Sequence, residues 1–354
     1  MFSKTFVRIL LVLTLAVILS ACAPAATPTH APAASQEVLT LEAASPTPTE
    51  EPATPTEEAQ PTATAFPVPD VPDDATWDQQ TALFKYDPDA AYTITENGSE
   101  ERDGVTIRDI SFPSPYRGEI KAYLVLPAGD SPHPGILYAH WFDTAPGANA
   151  NREEFLDDAV AIAQKGAASL LINTDLAIPG GRRWSGANSK TDRELVIKQV
   201  VEMRRATDVL INEGNVDPDR LAFVGHDFGA MFGSVLVAVD PRFKAAVFLA
   251  MVGDFSDWFL LGSTLGAADR TVYKETLKAV VPQDYLTHAD HTAKLFQFAD
   301  KDQFVTSAQA NAIIQTAADP KQSKTYGSDH ALHENAGATA DRQMFLAEQL
   351  GLDK

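Results

Sequence analysis

The sequence predicts an α/β domain, a mostly parallel central sheet with helices on both faces. Three observations carry this expectation. Residues 104–127 read as an antiparallel pair of strands, and from residue 135 short apolar runs alternate with helical periods. The run "RLAFVGH" (220–226) passes through a single residue into the helix-like "FGAMFGSVLVAV" (228–239). The stretch from residue 76 to 354, about 280 residues, suits one domain and is long enough to bury a sizeable core.

The elements follow in order. "GVTIRDISFPSP" (104–115) and "GEIKAYLVLP" (118–127) have β-branched content and alternation, with a turn at 116–118 between them. "GILYAHW" (135–141) is a short apolar run, as a buried strand requires. "NREEFLDDAVAIAQKG" (151–166) has a helical period, with Phe155, Ala159, Ile162 and Ala163 on one face and Gly166 as a stop. "AASLLIN" (167–173) is another buried strand, followed by a loop carrying "IPGGRRW". Residues 191–213 form a helix with Leu195, Val196, Val200 and Leu210 inward. Strands are expected at 220–226, 244–250, 293–299 and 323–327, and an amphipathic helix closes the chain at 339–352.

What precedes the domain has a different composition. Lys4 and Arg8 lead into an apolar stretch at residues 9–19, then Ser20, Ala21 and Cys22. That stretch is shorter than the roughly 20 residues a membrane-spanning helix needs, so it reads as an export signal. "LSAC" (19–22) resembles the lipobox of bacterial lipoproteins, which implies cleavage before Cys22 and lipid on its sulfur. Cys22 is the sole cysteine of the 354 residues, so the domain folds without disulfides. Residues 22–75 are rich in Pro, Thr, Ala and Glu, with nine acidic residues and no Lys or Arg. Such a segment buries too little apolar surface to offset its ordering entropy and reads as a tether. The expected organisation is therefore a signal at 1–21, a lipid-anchored tether at 22–75 and a domain at 76–354, exported to the bacterial envelope. The net charge of −20 argues against nucleic acid and against a basic membrane patch, which leaves the lipid as the expected membrane contact.

The chemistry concentrates in "LAFVGHDFGAMFG" (221–233). Gly225, Asp227 and Gly229 have the spacing of a nucleophile elbow, where a strand turns sharply into a helix, with a carboxylate at the tip. An elbow nucleophile is followed in the chain by an acid and then a base. "FADKDQFV" (298–305) offers Asp300 and Asp302 just past a strand, and "YGSDHAL" (326–332) offers His330 past the last one. All lie at the carboxyl ends of strands, where sites gather in open parallel sheets.

With these residues in place, residues 100–354 resemble the α/β-hydrolase superfamily. "VDPDRLAFVGHDFGA", "LFQFADKD" and the C-terminal helix look most like the dienelactone hydrolase and prolyl-oligopeptidase-like branch. The resemblance implies Asp227 as nucleophile, Asp302 rather than Asp300 as acid, His330 as base, and a short lid over residues 251–292. That branch carries Ser or Cys at the tip. "GHDFG" is closer to the elbows of haloalkane dehalogenases, fluoroacetate dehalogenases and epoxide hydrolases, which use Asp. The N–H of Phe228 is the first expected oxyanion donor, and the second comes from Trp141 or Phe142.

A carboxylate is already ionised at neutral pH and can displace a leaving group from a saturated carbon, forming an alkyl ester. His330, held by Asp302, would then activate water. Two other readings stand beside this one: an ester or lactone hydrolase in which Asp227 is a base for water, and a catalytically silent binding protein on the cell surface. Under any of them the ligand is a small molecule, and no cofactor is expected. Trp141, Trp184 and Trp258 are candidates for halide contact, and Tyr273 and Tyr285 for protonating an epoxide oxygen. Each has core packing as its alternative role. His140 and His226 are expected to support the site rather than react, and His333 is a fallback base. His288 and His291 have ligand spacing without a third ligand, so no metal site is assigned. Arg182 and Arg183 can receive a substrate carboxylate or lie solvated.

Overall fold

A computed structural model describes residues 72, 75–130, 132–144, 148–177 and 183–352. The expected signal, Cys22 and nearly all of the tether lie outside the described residues, as does Arg182. The described residues belong to one compact unit, 59–354.

Nine strands form one sheet in the order β1-β2-β3-β5-β4-β6-β7-β8-β9. β1 (Thr95–Arg102), β2 (Val105–Pro113) and β3 (Glu119–Leu126) run antiparallel, and β3 pairs antiparallel with β5 (Ala168–Ile172). From there β5, β4 (His133–Ala139), β6 (Val216–His226), β7 (Phe243–Leu249), β8 (Ala293–Ala299) and β9 (Lys321–Tyr326) are parallel. The central strands are buried along most of their length, as expected where helices cover both faces. One apolar layer is built on α3 (Ser189–Glu213) and α4 (Phe228–Val239). The opposite layer is built on α2 (Leu156–Ala163) and α9 (Ala336–Leu350). Helices α1 (Trp77–Ala82) and α8 (Ser307–Thr316) join the first layer.

The strands and helices expected from residue 104 onward are present, with two differences. The first is β1, "TENGSEER", a polar edge strand that is exposed for all but its last residue. The second is the start of α2, which begins at Leu156 rather than at residue 151. Arg152 forks onto Asp109 at 2.7 and 2.8 Å, and its backbone N–H donates to Asn173 at 2.8 Å. These bonds hold residues 150–155 in turns. The Glu154 side chain is thereby directed inward. Between β7 and β8 the short lid contains α5 (Phe255–Phe259), α6 (Ala267–Leu277) and α7 (Pro282–Leu286).

Candidate active site

Asp227 sits between β6 and α4 with φ 56° and ψ −121°, a left-handed conformation that costs a non-glycine residue free energy. Its N–H donates to the Leu249 carbonyl at 2.9 Å, which ties the tip to the end of β7. The two elbow glycines are required by close approach. A Cβ on Gly225 would lie 2.7 Å from backbone atoms of Gly229 and Ala230, and one on Gly229 would lie 2.3 Å from the Ala139 carbonyl oxygen. The turn is tight because helix backbone packs directly on strand ends.

Asp302 and His330 come to the same place from the loops after β8 and β9. His330 Nδ1 is 2.8 Å from Asp302 Oδ2. The other Asp302 oxygen accepts the N–H groups of Phe304 and Val305 at 2.8 and 3.0 Å. Asp302 is buried enough for desolvation to push its pKa up, but these bonds and the charge of His330 hold it below the usual carboxylate range. Asp300, the other acid in that loop, is exposed. His330 Nε2 lies 3.8 Å from Asp227 Oδ1, an ion-pair distance too long for a hydrogen bond. Burial pulls the His330 pKa down, and the charge of Asp227 together with the charge and hydrogen bond of Asp302 outweigh it, raising the pKa to about 9.

Of the two candidates for the second oxyanion donor, Phe142 points its N–H at the site, donating to Asp227 Oδ2 at 2.8 Å. The peptide that carries this N–H is pinned from behind. Thr174 donates its backbone N–H to His140 Nε2 at 3.0 Å, so the His140 proton is on Nδ1, which donates to the Trp141 carbonyl at 2.6 Å. Burial keeps His140 neutral, with its pKa lowered to about 4. The backbone N–H of Trp141 is unavailable as an oxyanion donor, contrary to the alternative left open by the sequence, because it donates to Glu154 Oε2 at 2.7 Å. Phe228 opens α4, so its N–H has no intrahelical acceptor, as the elbow reading expects of its first donor.

Glu154 was not singled out by the sequence. Nothing in "NREEF" distinguishes it from the exposed Glu153 beside it. Its side chain is fully buried, 2.6 Å from His226 Nδ1 and 3.4 Å from His333 Nδ1. His333 therefore faces Glu154 and does not serve as a second base beside Asp227. His226 Nε2 lies 2.9 Å from the His330 carbonyl oxygen.

In front of the carboxylate lies a cavity of about 510 Å³ lined by Trp141, Phe142, Trp184, Phe228, Trp258 and Phe304, with Leu261 and Gln303 among its other residues. Asp143 and Asp329 add acidic groups. Leu261 and Phe304 are 63% and 56% exposed, so the wall is apolar out to solvent. The three tryptophans divide. The Trp141 indole N–H donates to the Ala148 carbonyl at 3.1 Å, which removes it as a halide donor. The Trp258 indole has only a long 3.5 Å contact to Phe304, and Trp184 has no hydrogen-bond partner among the described residues. Tyr273 and Tyr285 are buried outside the cavity, with hydroxyls bonded to Asp192 and to the Ala279 carbonyl, so neither can protonate an epoxide there. Arg183 lies over the Phe142 ring, 5.7 Å from its centre. His288 stacks on Trp77 and His291 bonds the Val237 carbonyl, so the two do not converge.

No protein-family model matches the chain. Among solved structures, acetyl xylan esterase 1 from Thermoanaerobacterium superposes with a TM-score of 0.58 at 14% identity, covering 76% of this chain and 92% of that one. An acetyl xylan esterase from Paenibacillus gives 0.59 at 16%, covering 77% and 93%. A cold-adapted esterase from an Arctic intertidal metagenomic library gives 0.54 at 17%, covering 72% and 99%. These likenesses establish the fold, that of the α/β hydrolases. Among characterised sequences, polyketide transferase ATR5 of Stachybotrys chlorohalonatus is 29% identical over 154 residues, which is 43% of each protein. The match thus spans less than half of that relative.

Proposed function

We propose that the chain is a hydrolase that uses Asp227 as a nucleophile on a small, largely apolar electrophile: a haloalkane, a haloacid or an epoxide. The observation that carries this reading is the division of labour between the two Asp227 oxygens. Oδ2 is held by the Phe142 N–H, where the carbonyl oxygen of an ester intermediate must be stabilised, and Oδ1 faces His330. In the first step Oδ1 bonds to the electrophilic carbon as the carbon–halogen or carbon–oxygen bond breaks. Halide leaves as the anion, or an epoxide oxygen takes the proton of cationic His330, which leaves the imidazole neutral for the second step. In the second step His330 removes a proton from water as its oxygen adds to Cγ of Asp227. Negative charge collects on Oδ2, against Phe142 and Phe228. The tetrahedral species then collapses, the alcohol leaves with the proton from His330, and the Asp227 carboxyl ionises again.

The charge of His330 suits this order. With its pKa at about 9, His330 is cationic beside ionised Asp227 at neutral pH. Alkylation removes the Asp227 charge that raises it, so the imidazole loses its proton and becomes a base when water must be activated. The aromatic lining excludes water from the displacement, and the Trp184 and Trp258 indoles are the donors nearest a departing halide. Asp329 at the rim disfavours haloacids relative to neutral substrates.

The test is intact-protein mass of His330→Phe after exposure to haloalkanes, epoxides and activated esters. A stable gain of one alkyl or hydroxyalkyl group on Asp227 is expected. Turnover of nitrophenyl esters without any adduct would instead support ester or lactone hydrolysis with Asp227 as a base. No adduct and an inactive wild type would support a binding protein. We also propose export and lipid anchoring through Cys22, on the strength of the charged start, the apolar run at 9–19 and "LSAC". Labelling with a radioactive fatty acid, lost in Cys22→Ser, tests it.

A further inference from the structure

We propose that Glu154 and His226 form a positioning pair that shares one proton and clamps the oxyanion loop to the loop carrying His330. The argument is an accounting of hydrogens. The His330 carbonyl can only accept, so His226 Nε2, 2.9 Å away, carries a hydrogen. The contact of His226 Nδ1 with Glu154 Oε1 is 2.6 Å, a hydrogen-bond distance between two atoms of which one must hold a proton. The other Glu154 oxygen accepts the Trp141 N–H at 2.7 Å. A continuous chain of bonds therefore runs from the Trp141 N–H through Glu154 and His226 to the backbone of His330. It joins the peptide segment that presents the Phe142 N–H to the residue that activates water.

The environment places that proton on Glu154. Both side chains are fully buried, and no Lys or Arg contacts the carboxyl among the described residues. The groups that face it are His226 on β6, His333 after β9, Asp227 at the elbow and the more distant Arg342 on α9. Burial dominates these charges and raises the Glu154 pKa to about 8, while burial lowers that of His226 to about 3. The pair is then neutral and adds no negative charge behind Asp227. Glu154, His226 and His333 also bring one ligand atom each within 4.8 Å of one another. Ligands on a tetrahedral zinc lie roughly 3.4 Å apart, however, and a 2.6 Å contact is too short for a metal between them.

The effect on turnover rests on the nucleophilic reading of Asp227, whereas the protonation state does not. The test uses the full chain with carbon-13 in Glu carboxyls and nitrogen-15 in His rings. One Glu resonance should be protonated at pH 7, titrate near pH 8 and disappear in Glu154→Gln. His226 should show the neutral Nε2–H form. Glutamine keeps both bonds, with its oxygen on the Trp141 N–H and its NH₂ on His226 Nδ1. It should therefore recover most of the kcat that Glu154→Ala loses, roughly 100-fold, with KM little changed. An ionised Glu154 at pH 7, a Gln variant as impaired as the Ala variant, or a stoichiometric metal that Glu154→Gln releases would each overturn the clamp. If no electrophile is turned over by the wild type, the resonance arm alone decides the clamp, and the failure belongs to the reading of Asp227.

Discussion

The Phe142 N–H donates to Asp227 Oδ2 across 2.8 Å, and the carbonyl of the same peptide accepts from His140 at 2.6 Å. The donor is aimed before any substrate arrives. In a serine hydrolase the equivalent donor waits for the substrate's oxygen. Here an oxygen of Asp227 itself occupies it, which leaves a substrate ester carbonyl without that donor and is the geometry the proposed nucleophilic role needs.

Asp227→Asn should abolish turnover, by on the order of 10⁴-fold or more, because an amide neither displaces nor forms a hydrolysable ester. The fold should survive. Asn tolerates positive φ, and its oxygen can still accept from Phe142. A thermal midpoint close to wild type with activity gone is the expected pair of results. Lost activity together with a large drop in midpoint would mean that the carboxylate is needed for structure.

The same variant should change His330. Its pKa of about 9 depends on the ionised Asp227 as well as on Asp302, against a burial that lowers it. Removing one of the two charges should bring the value down toward the ordinary histidine range. Proton or nitrogen-15 NMR titration of the His330 ring in wild type and Asp227→Asn measures this. Equal values in the two proteins would contradict the proposed release of the base on alkylation.

Gly229→Ala tests the tightness of the elbow. The new Cβ would meet the Ala139 and His140 carbonyl oxygens at 2.3 and 2.7 Å, which are backbone atoms that cannot rotate away. The expected loss is about 1–3 kcal/mol of stability, with a fall in kcat as α4 moves off the strand ends. Gly118→Ala meets nothing within 4 Å and is the control. Urea unfolding of both variants separates a local clash from a general intolerance of alanine.

The elbow turn and the placement of Asp302 and His330 beside it were legible because each depends on short-range pattern. Gly225 and Gly229 flank Asp227 at fixed spacing, Asp302 follows the apolar run of β8, and His330 follows the short polar strand β9. The missing pieces depend on partners distant in sequence. β1 is polar and almost wholly exposed, so it carries no apolar alternation to read; its register comes from β2. Glu154 lies in a run with helical period, yet α2 starts two residues later because Arg152 and Asn173 hold the preceding turn. Its inward direction, and with it the loss of Trp141 as a donor, is set by Asp109 on β2, Asn173 after β5 and His226 on β6, which no local window contains.

Stability should peak near pH 6.5 and fall on both sides. His140, His226 and His333 are held neutral, with pKa values lowered by burial to about 4, 3 and 4. As pH drops below 6.5 the unfolded chain takes up protons at these positions and the folded one does not, so stability is lost, by about 1.4 kcal/mol per pH unit for each fully buried histidine. Glu154 acts in the opposite sense. Its pKa is raised by burial from 4.5 to about 8, so the folded state holds a proton that the unfolded state releases, and stability declines as pH rises across that window. His330, raised to about 9, contributes stability that is complete below pH 6.5 and lost as pH rises through 9. Between pH 4.5 and 6.5 three histidines outweigh one carboxyl, and above 6.5 Glu154 and His330 pull together toward lower stability. The thermal midpoint measured from pH 4.5 to 9.5 should therefore trace a dome with similar slopes on its two sides, flattening above pH 8 once Glu154 has released its proton. A midpoint flat from pH 5 to 6.5 would mean that the three buried histidines take up protons in the folded state after all.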